Sequence, residues 1–322
     1  MNMPMDTKGD RIYVANTGED SISVIDENTL EPVDKIFLYD DDKKSAVSPA
    51  TCCMPVFGPH SIKADVKTKR LYTANCYDNS VSIIDTKENR ILDRVLAGSF
   101  PHSIAIDNVG NHVYITNQDS DSLCVLRGDN FKVVAYIPVG CMPQGVCISP
   151  DNKLIAVANV YSNDITILST GKVEVSGRIS APYNPSQLIF SRDGSTLYST
   201  GVDDENSKKG VIMVIDMNKA RVVKRIPVGQ VPIQLCLHPN KNILYVTNTG
   251  SGDICVMDTH KDKIIDRIRV NGMVHGIVIN KQATRLFVSN IQHDRIIALS
   301  TADYTVQRSI GVGKEPHSLC IL

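Results

Sequence analysis

Four of the chain's eight histidines share one address. His60, His102, His275 and His317 each follow the lead residue of a short turn (proline, or Val274 in one case) and open a run of small and apolar residues. The same turn recurs at Pro143-Gln144, Pro185-Ser186 and Pro232-Ile233, so the slot reads His60, His102, Gln144, Ser186, Ile233, His275, His317. Five of its steps are 42 residues and one is 47. The slot accepts Gln, Ser and Ile, so packing does not demand imidazole there. Neutral imidazole is the commonest metal ligand, and bound zinc or copper is held by three or four N or S donors. Soft sulfur lies close in sequence: Cys52 and Cys53 before His60, Cys141 before Gln144, and Cys76 after a neighbouring strand. The candidate metal ligands are therefore His60, His102, His275, His317, Cys52, Cys53 and Cys141. Gln144, Ser186 and Gln187 face the side left open, where a small ligand could bind. This donor set suits Zn or Cu, whereas a hard cation wants carboxylates. Cys52-Cys53 is not a C-x-x-C pair, so the metal reading rests on the repeat and not on a zinc-finger motif. Two other readings use the same residues: imidazoles that cap turns by bonding backbone, and a metal-free histidine pocket for an anionic small molecule.

Whether these side chains meet depends on the units that carry them. Gly98 to Val139 is one such unit, with four short β-branched or alternating runs (103–106, 112–116, 122–126 and 132–137) separated by Asn, Asp and Gly. Period-two alternation broken at such intervals predicts a four-stranded antiparallel meander. The second run keeps its own ruler at Tyr13, Tyr72, Tyr114, Ala156, Tyr198, Tyr245 and Phe287. Seven units follow, with insertions at 38–58 and 203–209. Stacked four-stranded units of about 40 residues predict an all-β, seven-bladed β-propeller that occupies 1–322 as a single domain. The sequence opens on a second strand (Arg11 to Ala15) and closes on a first strand (Ser318 to Leu322). The last strand is thus expected to complete the first blade and close the ring, which removes exposed sheet edges. The slot then lies at one mouth of the central channel, with 275, 317, 60 and 102 in consecutive sectors. Both insertions fall on the same end, where a rigid scaffold commonly carries binding loops.

The repeats resemble the YVTN-type units of YncE-like and surface-layer-associated propellers. Tyr245-Val246-Thr247-Asn248 spells the motif, with close versions at Tyr13 to Asn16, Tyr72 to Asn75, Tyr114 to Asn117 and Phe287 to Asn290. The resemblance spans residues 8 to 322 and implies seven blades, and it leaves the activity open because one fold hosts many sites. Histidines gathered at a channel mouth also look like the copper-site propellers of nitrous oxide reductase, which use more imidazoles. Lactonase-type propeller hydrolases are a second analogy. They need a carboxylate set or a metal at the channel, and Glu315 is the only acid beside the slot. A metal-dependent oxidoreductase or hydrolase is one functional expectation. A metal-free scaffold that binds a protein or peptide on the loop-bearing face is the other.

Composition narrows the partners. Net charge is −1, from 34 basic and 35 acidic residues without long runs of one sign, which argues against nucleic acid or a charged membrane surface as partner. No apolar run reaches the ~18 residues of a membrane span, and the start MNMPMDTKGDR lacks a secretion pattern. Nine cysteines, several repeating one strand register (Cys147, Cys236 and Cys320; Cys124 and Cys255), read as free core residues of a reducing compartment. The expected location is cytoplasmic, or exported if a leader has been removed. Repeated Asn16, Asn75, Asn117, Asn159, Asn248 and Asn290 read as left-handed turn residues, and Asp26, Asp85, Asp216 and Asp258 as turn carboxylates. His112, His238, His260 and His293 read as surface or turn residues.

Overall fold

A computed structural model describes residues 10–39, 54–107, 111–204 and 209–322. It forms seven four-stranded antiparallel sheets, each a meander except the one that joins the two ends of the sequence. In that sheet Pro316–Ile321 is the inner strand and pairs with Arg11–Asn16, placing Ile12 opposite Ile321, Tyr13 opposite Cys320 and Val14 opposite Leu319. The expected ring of seven blades, closed by the last strand, is what the structure shows. We number the blades 1 to 7 by their second strands, starting at Arg11–Asn16.

Blades stack through their faces, and an apolar cluster fills each junction between neighbours. The junction that closes the ring packs Phe287 and Ala298 against Val14 and Leu319. Without tryptophan, the largest fully buried side chains are Tyr13, Tyr72, Tyr114, Tyr245 and Phe287, all on second strands. Burial of each such ring contributes about 2–3 kcal/mol, so closure matters to every blade it touches. Free Cys124 and Cys255 are fully buried, and Cys236 and Cys320 nearly so, consistent with core packing.

The repeated asparagines correct one expectation. They do not occupy left-handed turns: Asn117 and Asn290 have extended backbone, with φ of −109° and −121°. The left-handed residues lie beyond them, at Asp20, Asn79, Asp121, Asn163 and Asp294. Each asparagine is instead a buried latch between strands or connections. Asn16 donates to Ser21 and Ser23, Asn75 to Ser80 and Ser82, and Asn159 to Asp164 and Thr166. Asn248 donates to Asp253 Oδ1 at 2.8 Å and Cys255 Sγ at 3.3 Å, while its Oδ1 accepts from the Gly229 amide at 3.1 Å. Replacing Asn248 by Ala should cost about 2–3 kcal/mol, because buried partners lose their bonds. Urea unfolding of Asn248→Ala, with the same substitution at exposed Asn218 as control, checks this. The aspartates at 26, 85, 216 and 258 do cap turns, each accepting two amides two and three residues on.

The second insertion also differs from a loop. Thr196–Asp204 and Lys209–Asp216 pair as far as Asp204 opposite Lys209, so the insertion lengthens a hairpin whose tip lies outside the described residues. Of the first insertion, Cys52 and Cys53 lie outside the described residues. Its end is anchored where Asp20 accepts the amides of Val56, Phe57 and Gly58 at 2.6–2.9 Å.

Candidate metal centre

Backbone geometry aims the slot residues. A register shift interrupts the ladder at the start of the inner strand in blades 1, 2, 3, 4, 6 and 7, between the slot's flanking pairs. Such a bulge takes one residue off the ladder and re-aims its side chain. Hydroxyls of the second strands hold the bulge: the amides after the slot at Ser103, Gln234 and Gly276 donate to Thr116, Thr247 and Ser289, and in blade 5, where the ladder shows no shift, Gln187 donates to Thr200 in the same way. The same hydroxyls reach the next blade, where Thr116, Thr247 and Ser289 donate to the carbonyls of Gln144, His275 and His317 at 2.6–2.7 Å. Blade 2 carries Ala74 at this position, and there His60 Nδ1 approaches the His102 carbonyl at 3.3 Å instead. The residue before the slot proline is fixed from the preceding blade in five cases, as where Asp294 accepts the Glu315 amide and Asn79 that of Phe100.

The result is convergence on the axis. Ring centroids are 4.7 Å apart for His275 and His317, 4.8 Å for His317 and His60, and 4.4 Å for His60 and His102. His60 and His275, in non-adjacent blades, are still only 5.8 Å apart. One ring nitrogen from each of His60, His275 and His317 lies within 4.8 Å of the others. A tetrahedral zinc with bonds near 2.0–2.1 Å needs nitrogens about 3.4 Å apart, so small side-chain rotations would close the set.

Hydrogen bonds assign the tautomers of two rings. His60 Nδ1 meets a carbonyl, and His317 Nδ1 meets the Glu315 carbonyl at 3.0 Å. A carbonyl only accepts, so Nδ1 carries the proton and Nε2 keeps its lone pair. His102 Nδ1 and His275 Nδ1 are buried and unbonded. The Gln144 and His317 carbonyls favour protonation of those two rings, but without hydrogen-bond geometry. Turn capping therefore accounts for one nitrogen of His317 alone, and a bond to the next blade for one nitrogen of His60. Among the described residues, no hydrogen bond engages Nε2 of any of the four.

Burial also keeps the rings neutral. Desolvation first, then mutual repulsion among the imidazolium forms, holds His60 and His275 well below the usual histidine range. Desolvation lowers His102 to about 4 and also lowers His317. These are bases with depressed folded-state values, so the unfolded chain binds more protons below the ordinary value of 6.5. The contribution to stability is complete above 6.5 and is lost as pH falls toward 4. His102 alone accounts for a loss on the order of 3 kcal/mol. Denaturant midpoints of metal-free protein should fall across this window, and the slope should flatten in His102→Gln. An equal slope in that variant would remove His102 from the account.

The other candidates are placed differently. Cys141 is exposed, with its amide on Ser162, and does not join the histidine group. Cys76 is buried, bonds the Gly58 carbonyl through sulfur at 3.2 Å, and is pushed up to about 12 by desolvation. Gln144 donates to Gln118 at 3.3 Å, and Ser186 pairs with Thr200 at 2.8 Å. Gln187 lines a central cavity of about 660 Å³ that begins directly beneath the histidines, where Ser61 follows His60. His238 is a buried turn residue whose Nδ1 accepts the Asn240 and Lys241 amides. Sequence reading missed the second-strand hydroxyls; their signal was Thr or Ser directly before the repeated Asn in Thr116-Asn117, Thr247-Asn248 and Ser289-Asn290.

Known proteins agree on the architecture. Among solved structures, Kuenenia stuttgartiensis hydrazine synthase superposes with a TM-score of 0.74 at 20% identity, over 84% of this chain and 92% of that one. A functionally unknown protein from Desulfotomaculum acetoxidans DSM 771 gives 0.80 at 12%, over 97% and 98%. Apo AztD from Citrobacter koseri gives 0.70 at 12%, over 98% of each. At these identities the likeness is one of fold. No curated protein matches the sequence. Residues 31–174 match the family model described as "Lactonase, 7-bladed beta-propeller", and with the blades counted above this makes the chain a seven-bladed β-propeller.

Proposed function

We propose that this is a metal-binding propeller of YVTN type, in which His60, His275 and His317, with His102 beside them, hold one zinc or copper ion at the channel mouth. The observation that carries the reading is the convergence of three imidazole nitrogens to within 4.8 Å in a slot that elsewhere holds Gln, Ser or Ile. The tautomers support it, because two Nδ1–H groups are spent on carbonyls and Nε2 stays available. An all-nitrogen set with no carboxylate in the group favours a borderline transition metal over Mg²⁺ or Ca²⁺. Fewer than four protein ligands would leave a position for water or a small ligand, as in catalytic rather than structural sites. Such an ion supplies Lewis-acid or redox chemistry, so metal-assisted hydrolysis and oxidoreduction are the classes to assay.

A protein-binding scaffold is the second reading. Met54, Val56, Tyr77, Tyr161 and Met273 are exposed on the connections at the histidine end. Metal analysis of protein purified without a histidine tag separates the two. About one equivalent per chain, absent when His60 and His317 are both Ala, supports the metal site. Trace metal that the substitutions do not alter supports the scaffold.

A further inference from the structure

The central channel holds one side chain that its repeat does not explain. Two residues past the channel-facing position, the inner strands carry Ala105, Cys147, Ile189, Cys236, Val278 and Cys320, all apolar, and in blade 2 Lys63. Lys63 is exposed to the cavity, and among the described residues it makes no ion pair. Lys63 and Cys147 line the same cavity, and the Lys63 charge opposes the rise that burial imposes on the thiols of Cys147, Cys236 and Cys320. Among the described residues, the only other charged one lining this cavity is Asp151, which is exposed and already held by Ser149 and Lys153. The channel-facing positions themselves are neutral and polar: Ser61, Ser103, Gln187, Gln234 and Ser318.

We propose that the channel is a binding site for a small carboxylate monoanion bearing further polar groups, with Lys63 on the carboxylate and the serine and glutamine side chains on the rest. One unpaired cation matches one negative charge, which favours a carboxylate over a phosphate dianion. Neutral donors and acceptors along the wall match hydroxyls. The distance along the strand from Ser61 to Lys63 is about 7 Å, the span of a small ring or a short chain. The site does not depend on whether the histidines above it carry a metal.

The test uses shikimate, a hydroxylated ring with one carboxylate, and its methyl ester, titrated calorimetrically into protein treated with EDTA. Metal coordination of the probe is thereby removed, and a failure of the histidine reading leaves the result intact. Shikimate should bind saturably with Kd below about 1 mM, and the ester should not. Lys63→Met should weaken binding by at least about tenfold, the loss of one charge-assisted bond, while Lys63→Arg should stay within about threefold. Methionine suits a position that is apolar in every other blade, so the variant should fold, as its melting curve will show. No saturable binding up to about 10 mM, equal binding of the ester, or equal binding by Lys63→Met would each overturn the proposal.

Discussion

Zinc at about a thousand times its dissociation constant should raise the melting temperature of the metal-free protein by roughly 6 °C. A ligand that binds only the folded state adds RT ln(1 + [L]/Kd), about 4 kcal/mol at that excess. Spread over the unfolding entropy of a chain this long, that amounts to roughly 6 °C. The imidazoles are separated by up to 257 positions in sequence, from His60 to His317, so the unfolded chain offers no comparable site. The paired variant His60→Ala/His317→Ala should show no rise, whatever its own melting point. His102→Ala should retain most of it, because His102 stands outside the three-nitrogen group. Copper(II) is run in parallel. If neither ion shifts the wild type, or if both shift the paired variant equally, the centre is not where we place it.

Removing residues 316–322 should abolish cooperative folding. The lost strand supplies the inner edge of blade 1 and buries Leu319, Cys320 and Leu322. Each such side chain contributes about 1.5–3 kcal/mol, and the ladder to Arg11–Asn16 goes with them. The sum approaches the whole stability of a typical domain, about 5–15 kcal/mol. It also leaves a strand edge open to pairing with other copies. Size-exclusion chromatography and thermal circular dichroism should show aggregation and no sharp transition. A monomer with an unchanged melt would mean that the ring holds without its closing strand.

The architecture was legible because two rulers, the slot and the second-strand aromatic, repeat independently and their offset dictates how the ends join. The histidine arc was legible for the same reason, since angular order follows from chain order once the ring is known. What the sequence could not convey was orientation. A bulge is a property of backbone register, and nothing in Pro-His-Ser announces that His60 leaves the ladder toward the axis. The latch asparagines were misread although their partners stand in the sequence, five and seven residues on, as in Asn16 with Ser21 and Ser23. Asn is common in turns, and that general preference outweighed a specific pattern of polar residues on the facing strand. The hairpin formed around 203–209 was missed because a charged, turn-rich string gives little alternation to read, while pairing continues from the strands below it.

The closing strand has a consequence for how the molecule is made. A ribosome emits His60 and His102 early and His317 well after them, yet the ring contacts of His317 reach both His60 and His275. A partly synthesised chain therefore lacks the three-nitrogen group of His60, His275 and His317 until its last strand is made. Loading would be a post-translational event, coincident with the zipping of one seam, and an ion seated there would act as a rivet across blades 7, 1 and 2. At the metal site proposed here, vectorial synthesis would tie occupancy to completed folding.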